Sequence, residues 1–248
     1  MMRALSYQAL ARGANAVMFF QWRASRAGAE KFHSAMVPHF DTGRSRVFAE
    51  VRELGQEIKQ LTPVTGSKVP AKAALLFSYE NLWALELNSK PALMDCWEMV
   101  APWYQAWLSL NIPLDIRHSD DDLSMYKILI VPHLYQLTEE QAEALNQFVF
   151  NGGRLIMTYF SGIVDRREHI WLGGYPALST DVLGCVVEEW QPFMPGESNE
   201  IMVAGKESAV TCTHWADLLH TTTAETLAEY VNDFYAGHPA VLLSYSLI

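Results

Sequence analysis

The sequence predicts an α/β protein built from two parts. In the first part, 1–62, a short apolar run at 16–20 lies between two helical patterns. In the second part, 68–248, strand-like apolar runs alternate with helical patterns, as in a doubly wound, mostly parallel sheet. A linker of turn-forming composition at 63–67 separates the two parts, so we expect two domains.

The first part reads as helix, strand, loop and helix. A helix is predicted at 3–12, where Gly13 is placed to end it, and a strand at 16–20. A second helix is predicted at 45–61, because apolar residues recur there at three- and four-residue intervals. This order is typical of the last αβα element of an α/β barrel. A lone strand cannot close a barrel, so the segment needs partner strands.

The second part is predicted to contain strands at 71–79, 113–117, 126–132 and 154–159 and helices at 94–110 and 138–150. Thr138 and Gln141 have the spacing of a capping box at the start of the last of these helices. Beyond residue 171 the pattern weakens. There the sequence predicts strands at 182–190, 201–203 and 240–243 and a helix at 223–235.

Composition excludes several classes of function. The formal net charge is −10 and basic residues do not cluster, which argues against a nucleic-acid partner. No apolar run approaches the roughly 20 residues of a membrane span, and no secretory signal is visible. Cys96, Cys185 and Cys212 lack the spacing of metal ligands, so we expect reduced thiols, a cytoplasmic location and no metal or other cofactor.

The polar loop that follows 16–20 carries the candidate chemistry. The carboxyl end of a barrel strand and the loop after it form the active-site wall in α/β barrels. Glu30 and His33 are three residues apart, so they share one side of a helical turn and could bind paired sugar hydroxyls. Phe20 or Trp22 could offer an apolar face to a sugar ring. The candidate residues are Phe20, Gln21, Trp22, Arg23, Glu30 and His33.

Plainer interpretations stay open at this point. A Glu-x-x-His pair is commonly a solvated helix surface, and it could also be half of a metal site, although no second copy of the motif occurs. In the second part, Ser161 is the only hydroxyl at a plausible strand-end turn, but the chain has no G-x-S-x-G sequence. The tryptophan-rich helix at 94–110 could belong to the core or to a subunit contact.

Two motifs closely resemble the glycoside hydrolase family 42 β-galactosidases. They are FFQWR at 19–23 and EKFHSAMVPH at 30–39. Further stretches are similar to the same family in the same order, at 75–85, 126–138, 151–165 and 173–190.

This resemblance implies a function and an architecture. Family members hydrolyse terminal β-D-galactosides with retention, using two glutamates on a (β/α)8 barrel. Their next domain resembles a class I glutamine amidotransferase without its catalytic residues and forms a homotrimer. The resemblance places Phe20, Glu30 and His33 in the galactose subsite, with Gln21, Trp22 and Arg23 beside them.

The same resemblance implies what this chain does not carry. In the family both catalytic glutamates lie upstream of the segment that is similar to 1–62. We therefore expect no catalytic residue here and no hydrolysis by the isolated chain. The residues after Val241 are unlike the family, whose small β-domain we expect to be missing. The alternative is an assembly module with an amidotransferase-like fold and no chemistry of its own.

Overall fold

The computed structural model describes residues 2–40, 44–87 and 89–245. The chain divides into two compact units, Met1–Val69 and Pro70–Ile248. The last three residues of the unusual carboxyl terminus, 246–248, lie outside the described part of the chain.

The first unit has two α-helices among its described residues, α1 (Met2–Ala11) and α2 (Arg46–Gln60). Two 3₁₀ helices also occur, at Ala29–Phe32 and Thr62–Val64. Both predicted α-helices are confirmed. The first ends as expected, because Gly13 follows it with a φ of 93°, a conformation that glycine adopts without a Cβ penalty.

The strand predicted at 16–20 is wrong, since these residues form no strand. A strand forms only where a neighbour satisfies its backbone groups, and no described residue pairs with this run. Pairing begins just after it, where the Val37 N–H donates to the Trp22 carbonyl at 2.8 Å and the Ala24 N–H donates to the Val37 carbonyl at 3.0 Å. This parallel bridge closes the base of the loop 24–36.

The second unit contains a four-stranded parallel sheet. Its strands are β1 (Ala73–Leu76), β2 (Leu114–Arg117), β3 (Ile128–Val131) and β4 (Arg154–Met157). The strand order is β2-β1-β3-β4, so the chain first moves outward from β1 and then returns to its other side. All four strands were predicted, each longer than it is.

Three helices accompany this sheet: α3 (Tyr79–Leu85), α4 (Cys96–Ser109) and α5 (Glu139–Phe150). The predictions of α4 and α5 are confirmed, including the capping box at the start of α5. The strand predicted at 71–79 is wrong beyond Leu76. Ser78 caps α3 there by accepting a hydrogen bond from the Asn81 N–H at 3.1 Å.

The two faces of β1 carry separate cores. Leu75 packs in one cluster with Leu85 of α3 and Val100 of α4. Leu76 packs in the other cluster with Leu145 of α5. Successive side chains of a strand point to opposite faces, so helices cover the sheet on both sides. This three-layer arrangement is the α/β architecture that the alternation of elements predicts.

The remainder of the second unit is antiparallel. It contains a short helix, α6 (Thr180–Leu183), and the strands β5 (Cys185–Pro192), β6 (Asn199–Val203), β7 (Val210–Cys212), β8 (Trp215–Thr221), β9 (Glu225–Tyr230) and β10 (Pro239–Leu243). β5 pairs with β8, and the other four form a sheet with the order β10-β9-β6-β7.

The helix predicted at 223–235 is wrong, because the segment forms β9. Its Ala, Glu and Leu residues favour helix, but burial alternates: Ala228 and Tyr230 are buried while their neighbours are exposed. β9 lies between β6 and β10, and these two partners satisfy its backbone on both sides. Strand pairing and burial thus override intrinsic helix propensity.

Candidate functional site

The loop 24–36 of the first unit presents the predicted carboxylate and imidazole. Glu30 lies in the 3₁₀ helix Ala29–Phe32, and the His33 N–H donates to the Glu30 carbonyl at 2.9 Å. His33 follows this helix as its C-cap and has an extended backbone, with a φ of −70° and a ψ of 143°. Both side chains are exposed, so this turn presents a carboxylate and an imidazole to solvent.

The predicted aromatic residues of this site are exposed as well. Phe20 is 79% exposed and Trp22 is 64% exposed. The Trp22 ring meets the ring of Phe48 in α2 edge to face, with centroids 6.2 Å apart. A pair of accessible aromatic rings therefore lies at the start of the loop.

The polar residues beside them differ in accessibility. Arg23 is exposed and takes part in the bridge to Val37. Gln21 follows Phe20 through a cis peptide bond, and its Oε1 accepts a 3.4 Å hydrogen bond from the Ser25 hydroxyl. The Gln21 Nε2 is buried without a hydrogen-bond partner among the described residues.

The structure brings these six residues into one short segment but does not join them all by contacts. The bridge at 23 and 37 holds 20–23 at the base of the loop that carries Glu30 and His33. Among the described side-chain contacts, none links Phe20 to either of those two residues. The side chains of Phe20, Glu30 and His33 are accessible, and their assembly around one sugar stays a prediction.

Ser161, the alternative nucleophile, already takes part in a hydrogen bond within the core. Its side chain is buried, and its hydroxyl accepts a 3.1 Å hydrogen bond from the Leu134 N–H. The left-handed position of this strand-end turn, which a nucleophile elbow would use, is taken by Phe160 with a φ of 56°. Phe160 is buried and stacks on Tyr135, with ring centroids 5.2 Å apart. The turn therefore serves the core and presents no reactive group.

His133, at the end of β3, is equally unsuited to act as a base. Burial lowers the pKa of its imidazole to about 4, against the opposing effect of a hydrogen bond to a backbone carbonyl. Its Nδ1 lies 3.2 Å from the Tyr159 carbonyl oxygen, and the ring packs edge to face against the Tyr159 ring. A neutral, enclosed imidazole of this kind is structural.

A cavity of about 440 Å³ opens at the carboxyl ends of β1, β2 and β3. Its charged groups are already paired with protein groups: Asp120 contacts Arg166 at 3.2 Å and accepts from Gln141 Nε2 at 2.7 Å. Glu168 lies 3.6 Å from the buried Lys90 ammonium. Opposite charges therefore offset one another at these described lining residues.

A row of aromatic rings, which we call the aromatic strip, borders this cavity; three of its rings are exposed and Phe77 is half-buried. It consists of Trp97, Phe77, Tyr79 and Trp83, in which neighbouring ring centroids are 5.1, 5.4 and 6.0 Å apart in that order. Sequence reasoning missed the strip because it extended the strand to residue 79. Ser78 before an apolar run was the available signal for a helix there.

The described residues were also compared with the requirements of a metal site, a membrane-spanning helix and a reactive thiol. No group of three or more potential metal ligands occurs among the described residues. None of the helices in the described ranges is both long enough and apolar enough to cross a membrane. The cysteines are free, and burial raises the pKa of Cys96 and of Cys185 to about 11, which disfavours the reactive thiolate.

Comparison with protein families covers most of the chain. Residues 71–245 match the family model described as the β-galactosidase trimerisation domain. Residues 1–61 match the family model described as β-galactosidase. The chain belongs to the glycoside hydrolase family 42 β-galactosidases. The resemblance seen in its FFQWR and EKFHSAMVPH motifs is confirmed.

Relatives in this family are similar along nearly the whole chain. A β-galactosidase of Geobacillus sp. is 47% identical over 241 residues, which are 97% of this chain and 36% of the relative. A β-galactosidase of Heyndrickxia coagulans is 42% identical over the same shares of the two chains. The chain therefore spans about a third of the length of the curated relatives it matches.

Solved structures of the family agree with the fold. The crystal structure of β-galactosidase from Bacillus circulans sp. alkalophilus superposes with a TM-score of 0.93 at 39% identity, over 97% of this chain and 36% of that one. The β-galactosidase from Rahnella sp. R3 gives a TM-score of 0.92 at 36% identity, over 98% and 37% of the two chains.

Proposed function

We propose that this chain is the carboxyl-terminal part of a retaining β-galactosidase and contributes galactose-subsite residues and an oligomerisation domain. The observation that carries the proposal is the ordered match of 1–61 to the β-galactosidase model and of 71–245 to the trimerisation model. The first unit would be the last βα element of the catalytic barrel. The second would be an amidotransferase-like domain in a homotrimer.

The exposed groups of the first unit support the subsite role. Glu30 and His33 offer an acceptor and a second polar group on one turn, a pairing that suits vicinal hydroxyls of a sugar. Phe20 and Trp22 are exposed aromatic rings at the start of the same loop. Stacking on the apolar face of a pyranose would desolvate these rings and orient the sugar.

The reaction in the intact enzyme would be a double displacement. One carboxylate attacks the anomeric carbon while a carboxylic acid protonates the leaving oxygen, and water then hydrolyses the galactosyl-enzyme. We assign both catalytic carboxylates to the part of the enzyme outside this chain. Glu30, Phe20 and His33 would hold the galactose ring while these acids react.

The non-catalytic alternative is supported by the size of the second unit. The trimerisation model covers 71–245, the larger part of the chain. In that alternative the 248 residues would assemble but contribute nothing to a sugar site. The free cysteines, of which Cys96 and Cys185 are buried, fit a reducing cytoplasm for either proposal.

The first experiment tests the chain alone. Purified protein is incubated with a nitrophenyl β-D-galactoside, and we expect no turnover above that of buffer. General acid help and covalent catalysis each supply orders of magnitude, and neither operates without the two carboxylates. Turnover that disappears in Glu30→Ala would contradict the assignment of catalysis to other residues.

The second experiment supplies a catalytic segment from a relative. The part of the Geobacillus relative that precedes its match is fused ahead of residue 1, and hydrolysis of the same galactoside is measured. In an active fusion, Phe20→Ala and Glu30→Gln should each raise KM at least about tenfold, as expected for lost sugar contacts. Phe40→Ala, an equally exposed ring outside the candidate set, is the matched control. Unchanged kinetics in both site variants would favour the assembly module.

A further inference from the structure

We infer that the aromatic strip of the second unit is the surface through which a second copy of this chain docks. The inference rests on the proposed trimer and adds which residues make the contact. Tyr79, Trp83 and Trp97 are 58%, 62% and 54% exposed, although they are large aromatic side chains. Phe77 links them in one row of ring contacts.

Exposed rings in mutual contact differ from apolar residues scattered over a surface. Single exposed hydrophobic residues are common and do not indicate an interaction site, whereas a contiguous apolar patch does. Tryptophan and tyrosine are also the residue types that dominate the binding energy of protein interfaces. The row of four rings therefore has the composition of an interface centre.

The strip is held rigidly by the ends of its elements. Trp97 lies in the first turn of α4, and its backbone N–H donates to the capping carboxylate of Asp95 at 2.9 Å. Tyr79 begins α3, which Ser78 caps. Phe77 directly follows β1, and its N–H donates to the Arg117 carbonyl at 2.9 Å. The backbone that carries these rings is therefore fixed before docking, which lowers the entropy lost on association.

Polar groups border one end of the strip. Trp83 lines the cavity at the strand ends together with Glu80, His118 and Arg166. His118 Nε2 lies 3.7 Å from a Glu80 carboxylate oxygen, and both side chains are partly or largely exposed. An aromatic centre with a solvated polar rim is the usual anatomy of a protein interface.

The occupant to which we commit is another copy of this chain. All four strip residues lie within 71–245, the range that matches the trimerisation model. In a cyclic trimer each contact is heterologous, so the strip of one copy meets a different surface of the next copy. A substitution in the strip alone therefore weakens every contact of the ring.

The test measures the mass of the 248-residue chain by analytical ultracentrifugation at tens of micromolar. We expect about 84 kDa for the wild type, which is three times 28.0 kDa. The variant W83K/W97K should sediment as a monomer, whereas Phe150→Lys, at a ring that is 55% exposed in α5, should remain trimeric. Trp83→Ala alone should raise the dissociation constant at least about tenfold, as expected of an interface tryptophan.

A footprint of the wild-type chain complements the variants. Hydroxyl-radical oxidation of Trp83 and Trp97 should fall at least about fivefold as protein concentration rises from nanomolar to tens of micromolar, while oxidation of Phe150 stays constant. This measurement stands even when the lysine variant fails to fold. A monomeric wild type, a trimer that survives W83K/W97K, or strip oxidation that ignores concentration would each overturn the inference. None of these results bears on the galactoside kinetics of the fusion protein, so failure of the interface and failure of the enzyme assignment are distinguishable.

Discussion

The buried carboxyl of Asp217 should make the stability of the second unit depend on pH. Burial raises its pKa from the ordinary 3.8 to about 7, although a hydrogen bond from the Trp215 indole N–H, 2.6 Å from Oδ1, favours the charged form. The folded state thus binds this proton more tightly than the unfolded state. Stability is unaffected below pH 4 and falls as pH rises from about 4 to about 7.

The size of the effect follows from these two pKa values. The two values differ by about three pKa units, and one unit corresponds to about 1.4 kcal/mol. Ionisation of Asp217 therefore lowers the stability of the fold by about 4 kcal/mol at most. More than half of this loss falls between pH 5 and pH 8. Asn is nearly isosteric, can accept the same indole hydrogen bond and carries no charge. Asp217→Asn should therefore stabilise the protein at pH 8 by about 2 to 3 kcal/mol more than at pH 5.

Urea unfolding of the wild type and of Asp217→Asn at both pH values measures this difference. Glu207→Gln removes an exposed carboxylate of the same unit and is the control, which should change stability little at either pH. Comparing variants cancels the other groups that titrate in this range. If Asp217→Asn shifted stability equally at pH 5 and pH 8, the carboxyl would be charged throughout and the reasoning would fail.

Four further predictions concern local structure and cysteine reactivity. Thr138→Ala removes the cap of α5 and should cost about 1 kcal/mol in urea unfolding, with a loss near zero counting against the capping box. Gly153→Ala should destabilise by about 1 to 3 kcal/mol, because a Cβ there would overlap the ring of Phe148. Gly55→Ala, in the open interior of α2, should instead stabilise by about 0.5 to 1 kcal/mol, and the opposite order of the two would refute this. The buried cysteines of α4 and β5 should resist a thiol reagent at neutral pH and react fully in denaturant; rapid native labelling would contradict their high pKa.

Sequence reasoning succeeded where local signals and tertiary environment agree. Thr138 and Gln141 mark the start of α5, because the side chain of each accepts a hydrogen bond from the backbone N–H of the other. Both residues lie within four consecutive positions, so the sequence alone shows the motif. The parallel strands β1 and β3 are continuous apolar runs because both of their faces are buried. In such segments the pattern and the fold require the same residues.

Sequence reasoning failed where the secondary structure depends on pairing with a strand that is distant in the sequence or not among the described residues. β9 has the residues of a helix and becomes a strand through β6 and β10, the former more than twenty residues earlier in the chain. The run 16–20 has the residues of a strand and forms none, since no described neighbour pairs with it. The candidate site was predicted as residue types in one segment, and Glu30 and His33 do share a turn. Its closure around a ligand depends on side chains that local sequence does not specify.

Phe160 limits which residues the turn after β4 can accept. It occupies the turn from which a nucleophile would project, yet its ring is wedged between Tyr135 and Trp215. Exchanging it for serine or cysteine would open a hole where three aromatic rings now meet, at a cost of several kcal/mol. Placing a reactive group at that corner would thus require repacking the contact between the parallel sheet and β8 at the same time. The turn after β4 is therefore fixed by the junction of two layers, which its aromatic ring fills.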